Sequence, residues 1–281
     1  DLRLNIMNKY IDKFVITEAT YTHSGNPKKL IFDINKFSKF KDKIIYIVVD
    51  KPPPDLLKIN NKESLNERQS KMILNAKKRE TYQINMTQDA ITNANPDDMI
   101  IVSDLDEIPN LEKIDFKIIS QKLIFFKQKM FYYKLNLFHK SLPWYGSKAC
   151  KKKYFKTPEW LREIKNKKYP MWRLDILLSK FKYNDIYFAM DGGWHFTNIR
   201  KPEDLEKKLL NFLHHVDYKQ SGLGLEDLKR LMSEKKLMYN HSIDKKGHKW
   251  GEGEKLQSTK LEEMPKYIIE NTEKYRAWLD S

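Results

Sequence analysis

Apolar runs that end on carboxylates or prolines set the rhythm of the first third of the chain. Leu2, Leu4, Ile6, Met7 and Tyr10-Ile11 recur at roughly helical spacing and predict a short amphipathic opening helix. Lys13-Phe14-Val15-Ile16-Thr17-Glu18-Ala19 predicts a first strand, and residues 43–50 predict a second that ends on Asp50 before Pro52-Pro53-Pro54 breaks the chain. Residues 21–27 read as a loop and 31–40 as a short helix. Ser64 followed three positions later by Glu67 is a capping-box signature for a helix running through Arg79, with Met72, Ile73 and Ala76 on one face. After the turn at residues 95–98, Met99-Ile100-Ile101-Val102 runs straight into Ser103-Asp104-Leu105-Asp106-Glu107-Ile108-Pro109. The apolar part lacks alternation, which predicts a strand covered on both faces in a parallel sheet. Two strands with crossovers and then a third predict a doubly wound α/β half.

Beyond Pro109 the pattern changes. Lys122 to Phe126 and Lys129 to Leu137 are aromatic-rich strand candidates, antiparallel or mixed in pairing. Residues 203–216, 225–237 and 265–279 read as helices, with 247–253 a loop. The expected organisation is one domain over 1–281, made of a ligand-binding half (1–110), a second half (111–200) and a helical C-terminal part (201–281).

With 281 residues, 40% of them hydrophobic and 12% aromatic, the chain can bury a core and is not a disordered segment. The net charge of +15 admits nucleic acid, an anionic membrane surface or phosphorylated ligands. Heavy use of Lys, Asn and Ile accounts for most of that excess. The basic residues are scattered and no nucleic-acid motif appears, so nucleic acid is not the expected partner; a basic nucleic-acid-binding protein stands as the alternative from another class. Cys150 is the one cysteine, which excludes an intrachain disulfide and favours a reducing, cytoplasmic setting. No apolar run approaches the ~20 residues of a membrane helix. The chain opens on Asp1 inside a helical pattern, so a trimmed N-terminus is expected; a Golgi-type lumen fits if an anchor was lost with it.

The segment at 104–107 carries the candidate chemistry. Ligands of open α/β sheets gather beyond the carboxyl ends of strands. Asp104 and Asp106, two apart on an extended segment, point the same way. Two hard oxygen donors suit Mg²⁺ or Mn²⁺, which in turn holds a diphosphate. The competing reading is a solvated acidic turn.

Several segments, in order, sharpen this. Arg3-Leu4-Asn5, Val15-Ile16-Thr17-Glu18 with the Thr22–Lys28 loop, Val102 to Pro109, Gly193-Trp194-His195-Phe196, and Lys208 to His214 together resemble glycosyltransferase family 17. That is the family of β-1,4-mannosyl-glycoprotein 4-β-N-acetylglucosaminyltransferases, which add a bisecting GlcNAc. Departures are Val216, where the family often has an acidic residue, and Asn66-Glu67-Arg68-Gln69-Ser70-Lys71, which lacks the family's Gln-Arg pair.

The resemblance implies a GT-A fold, a Rossmann-like doubly wound sheet with a DxD motif, plus C-terminal helices. It implies an inverting transferase with Mn²⁺ or Mg²⁺, a UDP-sugar donor (UDP-GlcNAc in known members) and a glycan or glycoprotein acceptor such as β-linked mannose. A different donor or acceptor, or an inactive lectin-like module, are variants. In this reading 1–110 binds the nucleotide sugar and 111–200 the acceptor and metal. Asp104, Asp106 and His195 hold the metal, with Asp104 also a ribose contact. His195 to Pro202 looks like a segment of other GT-A transferases in which the His completes the metal shell and a Lys, here Lys201, touches the diphosphate; Arg200 is the alternative. Glu18 lies near the uridine, and Arg162 or Arg173 reaches the diphosphate. Trp194 stacks on a sugar face or is a core residue. Glu107 accepts from neighbouring backbone or a donor hydroxyl. Asp191 is the first candidate for the catalytic base, with Glu159 and Asp175 behind it.

Overall fold

The computed structural model describes residues 1–170, 172–241, 249–251 and 253–280. The fold is mixed α/β. Its strands are β1 (Phe14–Ala19), β2 (Ile44–Val49), β3 (Met99–Val102), β4 (Glu107–Pro109), β5 (Leu123–Phe126), β6 (Gln128–Tyr132), β7 (Leu137–Trp144), β8 (Lys148–Lys151), β9 (Ile186–Ala189), β10 (Gly193–Thr197) and β11 (Gln257–Ser258). Its helices are α1 (Leu2–Met7), α2 (Leu65–Asn85), α3 (Pro158–Glu163), α4 (Pro202–Leu209), α5 (His215–Ser221), α6 (Leu225–Ser233), α7 (Lys266–Glu270) and α8 (Thr272–Tyr275). Two compact units interleave along the chain: Asp1–Asp12, Gln88–Ile199 and Gln257–Ser281 form one, Lys13–Thr87 and Arg200–Leu256 the other.

In the unit begun by Lys13, β1 and β2 pair in parallel, Phe14 opposite Ile44 and Ala19 opposite Val49. A 3₁₀ segment, Ile34–Lys43, makes the crossover where a short helix was expected. The capping box is present: Ser64 Oγ accepts from the Glu67 N–H, and Glu67 Oε2 accepts from the Ser64 N–H at 2.9 Å. From there α2 runs past Arg79 to Asn85 and packs along β1. The expected helix over 203–216 is two helices, α4 and α5.

The other unit holds two sheets, ordered β3-β8-β5-β9 and β11-β7-β6-β10-β4. They are joined repeatedly by the chain: β3 leads to β4, β5 to β6, β7 to β8 and β9 to β10, so each strand of the first sheet adjoins in sequence a strand of the second. Pairing is mixed, parallel for β5–β9 and β6–β10 and antiparallel for β3–β8, β5–β8, β6–β7 and β4–β10. One core cluster gathers Leu123, Phe125, Cys150, Trp160, Leu161, Ile164 and Ile186, which packs α3 against the first sheet. In the second sheet Phe131 stacks between Phe138 and Phe196 at 5.5 and 5.4 Å.

Two expectations need correction. Met99–Val102 is not a central parallel strand; β3 lies at a sheet edge, half-buried at all four positions, and pairs antiparallel with β8 from Met99↔Lys151 to Val102↔Lys148. A four-residue apolar run specifies neither the direction nor the number of its partners. Among the described residues, therefore, β3 does not extend the β1–β2 sheet into a doubly wound half. Lys129 to Leu137 is not one strand: Tyr133 adopts φ +63° and breaks it, while its side chain stays buried. The expected loop at 247–253 lies partly outside the described residues.

Gly193 opens β10 at φ +116°, and a Cβ there would stand 2.2 Å from the Ile108 carbonyl oxygen and 2.6 Å from the Asn110 nitrogen. Both obstacles are backbone, so neither can rotate away. Gly193→Ala should therefore lower unfolding stability by about 2 kcal/mol or more in urea titration. A loss within about 0.5 kcal/mol would show that β4 gives way freely.

Candidate functional site

The turn Asp104–Glu107 links an edge strand of one sheet to an edge strand of the other. It closes on itself twice. The Glu107 N–H donates to the Asp104 carbonyl at 3.1 Å, and the Glu107 carboxylate reaches back to accept from the Asp104 N–H at 3.0 Å. Glu107 is 1% exposed. Its other partners come from distant segments: Trp144 Nε1 donates to Oε1 at 2.6 Å and Ser147 Oγ to Oε2 at 3.2 Å. Burial pushes the Glu107 carboxyl above the usual carboxylate range, Asp104 and Asp106 push it further, and His195 and the Trp144 hydrogen bond oppose them.

Arg3, from α1, clamps the backbone of this turn. Its guanidinium donates to the carbonyls of Asp104 (3.2 Å) and Glu107 and to Ser103 Oγ (2.6 Å). Burial draws the Arg3 guanidinium below its ordinary value, against the attraction of Glu107, Asp104 and Asp106. The Asp106 carbonyl accepts from the Phe196 N–H at 2.8 Å, which ties β10 to the turn, and the register sets His195 opposite Glu107.

That arrangement brings His195 to Asp106, with Nε2 3.4 Å from Oδ1. The Trp144 ring lies against the imidazole at 4.9 Å between centroids. Arg162, on α3, forks Asp104: Nε to Oδ1 at 3.2 Å and Nη2 to Oδ2 at 3.0 Å. Lys148 fixes the end of α3 beneath it by donating to the carbonyls of Arg162 (2.5 Å) and Ile164 (2.6 Å). Burial pulls the Lys148 ammonium down to about 8, with Arg162 and Lys165 acting the same way and Glu107 and Glu163 opposing.

Asp104, Asp106, His195 and Arg162 are thus gathered in one place. Asp191 is not: it lies in the exposed turn before β10, four residues and at most about 14 Å of extended chain from His195. Trp194 falls on the face of β10 opposite His195 by strand alternation, and its indole N–H donates to the Glu263 carbonyl at 3.2 Å. Glu18, Arg200 and Lys201 belong to the other unit. There the Glu18 carboxylate accepts from Lys28 Nζ (2.5 Å), the N–H groups of Ile31 and Phe32 (both 2.9 Å) and the Tyr46 hydroxyl (3.0 Å). Burial works to raise this carboxyl, but the donors outweigh it and hold it below the usual range. Lys201 is the N-cap residue of α4. Arg3, Trp144, Ser147 and Lys148 were not singled out from sequence as site residues. The structure leaves room for only glycine at 146, where a Cβ would fall 1.6 Å from Glu107 Oε1 and 2.3 Å from Trp144 Nε1.

A profile of glycosyltransferase family 17 matches residues 1–280. The chain belongs to glycosyltransferase family 17. Two relatives named beta-1,4-mannosyl-glycoprotein 4-beta-N-acetylglucosaminyltransferase, from Rattus norvegicus and Mus musculus, are 24% and 23% identical over 312 aligned positions that cover 100% of this chain and 52% of each relative. The human protein of that name is 29% identical over 123 positions, 41% of this chain and 20% of the relative. The chain therefore spans about half the length of the two rodent relatives. No solved structure matches it. No helix among the described residues is long and apolar enough to cross a membrane.

The donor set can be weighed against a divalent ion. Among the described residues no three His, Cys, Asp or Glu side chains form a group able to hold a metal on their own. His195 Nδ1 is buried without a hydrogen-bond partner, whereas a resident metal-ligating His normally anchors its second ring nitrogen. One carboxylate and one imidazole fit an ion of the Mg²⁺/Mn²⁺ type that takes its remaining oxygens from water and a bound diphosphate. Asp106 and His195 are the residues that would hold it, while Asp104 is engaged by Arg162.

The Lys148 shift has a consequence for stability. A base whose folded value is depressed binds its proton more weakly in the fold than in the unfolded chain, so stability rises with pH between about 8 and the ordinary 10.5. Over that window the stability of wild type should gain up to about 3 kcal/mol relative to Lys148→Met, read from urea titrations at each pH. Parallel pH profiles would show that Lys148 stays charged in the fold.

Proposed function

We propose that this chain is the catalytic region of a metal-dependent, inverting glycosyltransferase of GT-A type, which transfers GlcNAc from UDP-GlcNAc to a glycan or glycoprotein acceptor such as β-linked mannose. The observation that carries the reading is the Asp106–His195 pair on a strand-end Asp-Leu-Asp turn in a family 17 chain. The names of the relatives support the donor sugar and the acceptor.

In this reading Asp106 and His195 hold a Mn²⁺ or Mg²⁺ ion, which when bound supplies Lewis-acid neutralisation of the leaving diphosphate. Arg162 offers a phosphate the same two-pronged donor that it gives Asp104 in the free turn. A bound phosphate would compete with Asp104 for Arg162, and Asp104 so released would be available to the ion or the ribose. Glu107, buried and fully engaged, keeps the turn closed. Glu18 and Lys201 belong to the other unit and are not assigned to this site, and Trp194 remains a sugar contact only for a ligand reaching the Glu263 side of β10. Inversion needs a carboxylate base at the acceptor hydroxyl. Asp175 is poorly suited, because Arg173 and Lys182 hold its carboxyl down to about 2. Asp191 serves only if the acceptor lies along the β4–β10 ladder toward Gly193.

Asp106→Ala should abolish Mn²⁺-dependent UDP-GlcNAc binding in calorimetry and lower UDP release at least about 100-fold, while the melting transition is kept. UDP-GlcNAc binding that is indifferent to EDTA would overturn the metal dependence. Faster UDP release from another UDP-sugar in a donor panel would reassign the donor.

A further inference from the structure

The chain that leaves α3 makes a loop unlike the rest of the surface. Trp172, Leu174, Leu177 and Leu178 are 78%, 76%, 82% and 92% exposed, and Phe181 is 38% exposed. Hydrogen bonds among the described residues hold this loop. The Lys165 N–H donates to the Phe181 carbonyl at 2.8 Å and closes the loop at its base. Arg173 forks Asp175 with two bonds of 2.8 Å, and Lys182 Nζ donates to the same carboxylate at 2.6 Å. A 3₁₀ turn, Leu174–Ile176, carries the tip, and Trp160 Nε1 donates to the Lys180 carbonyl at 3.1 Å. Soluble surfaces seldom expose such a contiguous cluster without something that covers it.

The charge around the cluster says what that is. Residues 165–182 contain six lysines and arginines against one carboxylate, Asp175, which is already consumed inside the loop. Beside the loop, Lys122, Lys153 and Lys156 line a cavity of 290 Å³ with Trp160 and Tyr183 as aromatic walls and Asp185 as the one carboxylate; Lys153 also serves Asp97. Large aliphatic side chains and a tryptophan at the tip, ringed by lysines, match the two layers of an anionic bilayer surface, acyl chains below and phosphates above.

We propose that the described residues 172–182 of this loop form a docking surface for an anionic phospholipid membrane, with Trp172, Leu174, Leu177 and Leu178 inserted at the headgroup boundary and the neighbouring lysines on lipid phosphates. The inference does not depend on the transferase reading, since it concerns adhesion and not turnover.

The test is flotation of the purified chain with vesicles of phosphatidylcholine alone and of phosphatidylcholine mixed with phosphatidylglycerol, at low and raised ionic strength. Binding should require the anionic lipid, weaken with salt, and fall about tenfold or more in the double variant Leu177→Asp/Leu178→Asp, whose melting transition should match wild type because both side chains face solvent. Lipid-borne bromine should quench more fluorescence in wild type than in Trp172→Phe. Three results overturn the proposal: no flotation with anionic vesicles, flotation that the double variant leaves intact, or a concentration-dependent dimer in light scattering that the double variant abolishes, which would make a second copy of the chain the occupant.

Discussion

One buried carboxylate organises this structure. Placing Glu107 where 1% of its surface meets water is expensive unless every lone pair is engaged and the charge is balanced. The fold meets that demand with the N–H of Asp104, the indole of Trp144, the hydroxyl of Ser147 and, through the adjoining carbonyls, the guanidinium of Arg3. These donors come from the opening helix, the end of β7 and the residue before β8. None of these segments can be moved without leaving a polar group unpaired in a low-dielectric setting. The shape of the Asp-Leu-Asp turn is therefore a property of the whole unit, and Asp104 and Asp106 project from it because Glu107 is held inside.

The same logic explains what could be read from the chain and what could not. The Asp104–Asp106 spacing, the His195 segment and the lysine-rich stretch around Arg162 carry local signatures, and the fold gathers all four residues. Trp144 and Arg3 act across separations of 37 and 104 residues from Glu107, beyond the reach of any local pattern. Trp194 and His195 are neighbours on a strand and face opposite ways, so they do not both meet the same ligand side by side. The capping box at Ser64 and the parallel β1–β2 pair were legible because their signals are short-range. The place of β3 was not, because an apolar run of four residues reads alike in a sheet centre and at an edge.

Helix α3 connects the two surfaces that give this chain its character. Its Thr157 cap and Pro158 start the helix, Trp160 and Leu161 seat it on the first sheet, and Lys148 engages carbonyls at its far end. Inward it delivers Arg162 to Asp104; outward its last residues hand the chain to the apolar, lysine-rich loop. A depressed Lys148 ammonium lying 4.8 Å from the Phe125 ring centre sits at the hinge of both.

The turn that joins the two edge strands also sets how this region can vary. Between Met99 and Pro109 both flanks are pinned by ladder pairs, to β8 on one side and to β10 on the other. The four residues between them, Ser103 to Asp106, are themselves tied down by Arg3, by the Glu107 carboxylate and by the Phe196 N–H. A single-residue insertion would either break these ties or pass on to a ladder, and a shift of one place in a strand turns its inward side chains outward. Glu107 would then face water and His195 would face a different neighbour. Length drift in this family should accumulate elsewhere, in segments such as the loop after α3, while the eleven positions from 99 to 109 keep their count even where their identities change.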